Sequence, residues 1–168
     1  MVSEGESATT GEPGACLLAV DVGLRCGLAL FGSDGRLRRY CSRHMPNRGV
    51  LRRASRSILA DIPGLTHVVL EGGGPVAAIW EHQAERVGAR VLRVSADDWR
   101  RVLLHPRDRR RGREAKSAAC RFARDVIEWS GASRPTSFGH DAAEAILVGL
   151  WGVLSLGWLE AVPPVLNS

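Results

Sequence analysis

The chain has 168 residues, 45% of them hydrophobic, which is enough for one domain with a real core and too little for two. Its 23 basic residues outnumber 18 acidic ones, for a net charge of +5 and a pI near 9.7, so nucleic acid or another polyanion is a better partner than a cationic one. Cys16, Cys26, Cys41 and Cys120 make no CxxC pair and have no histidine at ligand spacing, which argues against a zinc module or a disulfide framework and leaves them as buried thiols in a reducing compartment. The uncharged run 145–159, 15 residues between glutamates, is shorter than the ~20 that span a bilayer.

Residues 1–15 are rich in Gly, Ser, Thr and Glu, with neither a secretory apolar core nor the character of an organellar presequence, and are expected to form a disordered leader. The apolar runs Leu17 to Val22 and Gly27 to Phe31, then Arg36 to Ser42, are separated by Gly23-Leu24-Arg25-Cys26 and Ser33-Asp34-Gly35, and read as an antiparallel three-strand meander. Val50, Leu51, Ala54, Ile58, Leu59 and Ile62 recur at helical spacing, with Arg48, Arg52, Arg53 and Arg56 among them, until Pro63-Gly64 ends the pattern. His67 to Leu70, Val76 to Val87 and Arg90 to Val94 read as strand, helix and strand, a unit whose strands pair in parallel. Asp97 to Leu104 is a short helix, Pro106 to Arg113 a charged loop, Glu114 to Trp129 a longer helix, and His140 to Leu159 a last apolar one. Residues 161–168 form a tail. The fold class is α/β: one domain over 16–160, with a mixed five-stranded sheet flanked by helices.

Asp21 and Glu71 each end an apolar strand, and Asp141 and Glu144 open the last helix. An ionised carboxylate at a strand end avoids the cost of burial, and several of them brought together call for a cation. Asp141 and Glu144, at i and i+3, share one helix face. Carboxylates are the ligands preferred by magnesium and manganese, and two such ions can activate water and stabilise a leaving oxygen in phosphodiester hydrolysis. His140, beside Asp141, is a further candidate ligand or supporting group. The plainer reading of each acid alone is a helix-dipole complement or an arginine partner; the joint pattern favours a metal site.

Gly72-Gly73-Gly74 follows Glu71 without a Walker lysine or a GxGxxG pattern, and is read, with Ile79 and Trp80, as a DNA-probing segment. For Trp80 core packing is the competing reading. Arg100, Arg101, Arg107, Arg109, Arg110, Arg111 and Arg113 lie within fourteen residues, a density suited to tracking phosphates; a merely solvated charged loop is the alternative. Lys116 is the one lysine beside 22 arginines, which singles it out for a role needing a compact ammonium, such as holding the scissile phosphate.

Asp-Val-Gly at 21–23, Leu-Glu at 70–71, Lys116 and Asp-Ala-Ala-Glu-Ala at 141–145 stand in an order that resembles the RuvC-like branch of the ribonuclease H-like superfamily. The stretch from Trp129-Ser130-Gly131 through Arg134-Pro135-Thr136-Ser137 to Gly149-Leu150-Trp151-Gly152 resembles, more narrowly, the plant and algal plastid Holliday-junction resolvases. The resemblance covers roughly residues 16–159. It implies a homodimer that nicks a four-way DNA junction in pairs, with magnesium or manganese, two ions per site, held by Asp21, Glu71, Asp141 and Glu144. It also implies a phosphate contact from Lys116, a preference for cytosine-containing dinucleotides, and a plastid-nucleoid location whose transit peptide is not in this sequence. Bacterial resolvases usually carry aspartate where Glu144 stands and a bulky aromatic where Gly74 stands, so base probing falls to other residues within 72–80. A YqgF-type nuclease acting on RNA and a non-catalytic architectural DNA-binding protein are the alternatives. An actin-like nucleotide-binding fold would need a second phosphate loop and a longer chain.

Overall fold

The computed structural model describes residues 14–109 and 112–166. The expected leader up to residue 13, Arg110, Arg111 and the last two residues of the tail lie outside them. In chain order the elements are β1 (Cys16–Asp21), β2 (Arg25–Gly32), β3 (Leu37–His44), α1 (Arg48–Ala60), β4 (Leu65–Glu71), α2 (Gly74–Arg86), β5 (Arg90–Val94), α3 (Ala96–Leu103), α4 (Arg113–Ser130) and α5 (His140–Ser155). Short 3-10 turns sit at Pro106–Asp108 and Pro164–Leu166. The strands form one sheet in the order β3-β2-β1-β4-β5; the antiparallel β1-β2-β3 meander and the parallel β4-β5 pair are as the sequence predicts, and parallel pairing of β1 with β4 joins them.

Strand alternation divides the core in two. Leu17, Ala19, Ala29, Phe31 and Val69 face α5, with α4 and Trp99 of α3 completing that layer. Leu18, Val20, Leu28, Val68 and Leu70 face α1 and α2 on the other side. α1 starts at Asn47, whose side chain accepts from the Val50 N–H at 3.0 Å, and buries Leu51, Ser55 and Leu59, four residues apart. Among the described residues no helix is long and apolar enough to cross a membrane.

Three expectations need correction. The last helix ends at Ser155 and not at Leu159, because Gly157 takes φ +71° and turns the Trp158 and Leu159 N–H groups back to the Val153 carbonyl. The charged loop contains a 3-10 turn. Of the four cysteines, expected to be buried, only Cys26 is fully so, and all four are free thiols.

Candidate metal centre

β1 and β4 lie in parallel register with Asp21 opposite Glu71. Period-two alternation puts both on the face of Ala19 and Val69, the face that α5 covers. α5 runs antiparallel to β1 and lies close because three glycines leave room. A Cβ at Gly27 would run into the Asp141 carbonyl, one at Gly149 into the Phe31 ring, and one at Gly152 would meet Val69 at 2.8 Å and Leu17 at 3.0 Å. This seam fixes the height of the helix over the strand ends and brings Glu144, one turn inside α5, down onto the other two acids. Asp21, Glu71 and Glu144 each offer an oxygen within 4.8 Å of the others.

Burial is the largest force on Asp21, pushing its pKa up from 3.8 to about 8; the charges of Glu144 and Glu71 add to it, then a hydrogen bond to Glu71 and the charge of Asp141. Glu71 is also raised by burial, against the pull of the Asp21 hydrogen bond and the nearby Arg100 charge. With no cation the pair therefore holds a proton near neutral pH, carried by Asp21 and donated to Glu71. Three partly buried oxygen donors, two of which share a proton in the absence of a cation, fit a hard divalent cation: such an ion would replace the proton and satisfy all three.

Arg100 is the site residue that pattern reading missed. Counted with the arginine cluster, it stands apart from it, with Nη2 at 3.4 Å from Glu144 Oε1. Its guanidinium also lies 5.1 Å from the Trp99 ring centre, and Trp99 is wholly buried. α3 is held by a capping box in which Ser95 accepts from the Asp98 N–H and Asp98 accepts from the Ser95 N–H. That Ser-x-x-Asp signal is visible in the sequence and foretells a rigid short helix, though not which acid its arginine meets.

Asp141 lies outside the trio of converging oxygens, close enough to add its charge to Asp21. His140 does not join the cluster either. Its Nδ1 is 3.2 Å from Cys120 Sγ on α4, and its ring lines a cleft of about 590 Å³ with Lys116, Arg113 and Arg124. Lys116 is exposed there, in a cleft whose lining includes none of the four acids.

Gly72 and Gly74 take φ of +118° and +72°, and Gly73 precedes α2 without a side-chain cap, so this exposed rim next to Glu71 is bare backbone. Arg93 donates to the Gly72 carbonyl at 3.0 Å. Ile79 and Trp80 do not continue the rim. Their positions on α2 turn them to the α1 side of the sheet, where Ile79 is 9% and Trp80 0% exposed, so the expected probing role is corrected to core packing for both. Arg109 is tied to the chain: its guanidinium donates to the Leu104 and Arg101 carbonyls at 2.8 and 2.7 Å, closing the end of α3, and the residue stays half-exposed. Arg107 is exposed, as is Arg113, while Arg110 and Arg111 lie outside the described residues.

No protein-family model matches the chain, and no curated protein matches it either. Among solved structures, Thermus thermophilus RuvC in complex with a Holliday junction substrate superposes with a TM-score of 0.61 at 14% identity, covering 85% of this chain and 96% of that one. A second Thermus thermophilus RuvC structure gives 0.61 at 15% identity over 84% and 96%. The likeness is one of fold, the mixed-sheet ribonuclease H-like architecture of RuvC, and it spans nearly the whole of the bacterial protein.

Proposed function

We propose that this protein is a divalent-metal-dependent endonuclease that resolves four-way DNA junctions by paired nicks, working as a homodimer. The observation that carries the reading is the convergence of Asp21, Glu71 and Glu144 from β1, β4 and α5 at one end of a RuvC-like sheet. Asp21, Glu71 and Glu144 would hold magnesium or manganese, with Asp141 at the edge of the cluster available to a second ion. Bound ions of this kind supply an activated water and a stabilised leaving oxygen.

The chain's own residues do the rest. Asp21 would release its proton to solvent when a cation is held there, so that the Asp21 and Glu71 pair could serve as anionic donors. Arg100 holds Glu144 in place from the α3 side and limits the negative charge of the cluster. Lys116 and Arg113 present cations on the α4 side of the site, where a scissile phosphate would be gripped. The bare backbone at 72–74 lets a strand come close to Glu71. A junction has two-fold symmetry, and a two-fold protein dimer places one centre on each of two opposed strands. A plastid-nucleoid location is supported by the resemblance of the 129–152 stretch alone; a fluorescent fusion that spreads away from plastid DNA would remove it.

The test is cleavage of a labelled mobile four-way junction, a matched linear duplex and a structured RNA, each with magnesium and with chelator. Nicks at symmetric positions in the junction alone, abolished by chelator, are expected. Cutting of the RNA in preference to the junction would transfer the site to RNA processing.

A further inference from the structure

α1 carries Arg48, Arg52, Arg53 and Arg56 and no acidic residue. Val50, Leu51, Ala54, Ile58 and Leu59 turn its apolar face to the sheet, and the four arginines lie off that face and are exposed. Arg52 stands one turn from both Arg48 and Arg56, and Arg53 is three residues from Arg56, so like charges repel along the helix. Arg48 also sits in the first turn, where the helix dipole disfavours a cation, while the last turn, where it favours one, has none. The placement of charge therefore works against the helix that bears it.

Arg39 and Arg43 stand on the same side of the sheet, since their partners on β2, Leu30 and Cys26, belong to the core layer under α1. Both are exposed, and with Ile58 and Asp61 they line a cleft of about 340 Å³ between β3 and α1. Among the described residues none of these arginines has a carboxylate within ion-pairing distance. Asp61, the one acid of the cleft, accepts from the Ser57 hydroxyl at 3.5 Å. The basic face begins at the metal-centre end of the molecule. β3 ends at His44, opposite Arg25 and just beyond the Asp21–Gly27 pair, and α1 starts from there at Arg48 and runs toward the other end of the sheet, where β4 begins opposite Cys16.

We propose that α1, with Arg39 and Arg43 of β3 beside it, is a polyanion-binding face on the side of the sheet away from α5, and that it holds the phosphate backbone of one duplex arm of the substrate. Exposed guanidinium groups without an internal partner suit phosphate oxygens, which Arg forks match, and a bound backbone supplies the countercharge that α1 lacks. Because the face starts at the end of the sheet that carries Asp21 and Glu71, an arm leaving the proposed cutting site over β3 meets Arg48 first and can continue along the helix. The inference rests on the proposed junction-nuclease reading, and it assigns arm binding to a surface separate from the cleft of Lys116.

The experiment compares the full-length protein with R52Q/R56Q and with the charge reversal R52E/R56E. R90Q, on β5 at the opposite edge of the sheet from β3, is the control. Affinity for four-way junctions with long and with short arms is measured at several salt concentrations with calcium in place of magnesium, beside single-turnover cleavage at saturating protein. On long arms both α1 variants are expected to make the salt slope shallower by about 1.8, two phosphates at ~0.9 each, and the reversal to weaken binding about tenfold or more. On short arms R52Q/R56Q should bind like the parent, its cleavage at saturation should stay within about twofold of the parent's, and R90Q should change neither. Without DNA, R52Q/R56Q should melt no lower than the parent, since repulsion within α1 is relieved. A parental slope in both α1 variants, while the parent cuts junctions, overturns the face and leaves the nuclease reading standing. Equal weakening on long and short arms overturns the arm in the same way, and a lower melting temperature with a parental slope makes these arginines structural. A parent that cuts no branched DNA overturns the nuclease reading instead, and the slopes then decide the face alone. Loss of a DNA-free dimer in R52Q/R56Q would give the face to a second copy of this chain and overturn the arm.

Discussion

Asp21 is where the chemistry of this molecule concentrates, because burial and two neighbouring carboxylates set its proton against any cation. Its pKa in the folded chain, about 8, lies above its ordinary 3.8. The proton therefore favours the folded state: in the metal-free protein the contribution of Asp21 to stability is complete below about pH 4 and is lost progressively as pH rises toward 8. Thermal melts in chelator should show that decline. Asp21→Asn should flatten it, and magnesium should raise the melting temperature more at pH 8 than at pH 5.5. A magnesium effect independent of pH would separate the cation from this proton. Arg100 makes a second prediction. Removing its charge from beside Glu144 should lower the magnesium concentration at half-maximal cleavage, since a competing cation is gone, while Arg100→Lys keeps the parental midpoint. An unchanged midpoint in Arg100→Ala would mean that the ion pair does not tune the site. Of these residues the acids were legible in the sequence, because Asp21 and Glu71 each close an apolar run and Glu144 opens one. Arg100 was not, because only the packing of α3 on α5 tells it apart from six neighbouring arginines.

At the scale of elements, the site depends on the height of α5 over β1 and β2. Gly27→Ala would push the first turn of α5 away from the strand ends, with a cost of about 1–3 kcal/mol for overpacking. Chemical denaturation should record that loss, and cleavage should fall further than junction affinity, because Glu144 moves and the arginines do not. Equal losses in both would show a general unfolding and no dependence of the site on this seam. Ser95→Ala should cost about 1 kcal/mol by opening the α3 cap, with a smaller fall in activity. Most element boundaries followed from periodicity and punctuation, and Arg90–Val94 was placed at its observed ends. The glycine seam was not read, although Gly149 and Gly152 at i and i+3 signal one thin helix face, because a partner surface cannot be seen from one helix. Ile79 and Trp80 were misplaced for a related reason. They follow a backbone loop that does border the site, and only the rotation of α2 about its axis sends them to the other side of the sheet.

The whole molecule joins an acidic point to a basic surface. A net charge of +5 holds polyanions near it, and Lys116, Arg113 and Arg124 line a cleft shared with His140 at the start of α5. Junction binding should accordingly weaken steeply with salt, while cleavage of already bound junction should respond to salt far less; a salt-insensitive affinity would leave the charge distribution without a role. The mixed pairing was legible because hairpin and crossover signals differ in length, while the β1–β4 pairing that joins the two halves was not. The surface around the site was less legible: a groove between β3 and segment 133–139 joins stretches about ninety residues apart that carry no shared motif. The most direct test of the account is single-turnover cleavage of a labelled four-way junction by the parent and by Asp21→Asn, in magnesium and in chelator, with junction affinity measured alongside. The account predicts paired symmetric nicks by the parent in magnesium alone and none by the variant, with affinity within about threefold of the parent's, since a metal ligand and not a phosphate contact is removed. Nicking by Asp21→Asn at the parental rate, or by the parent in chelator, would contradict it.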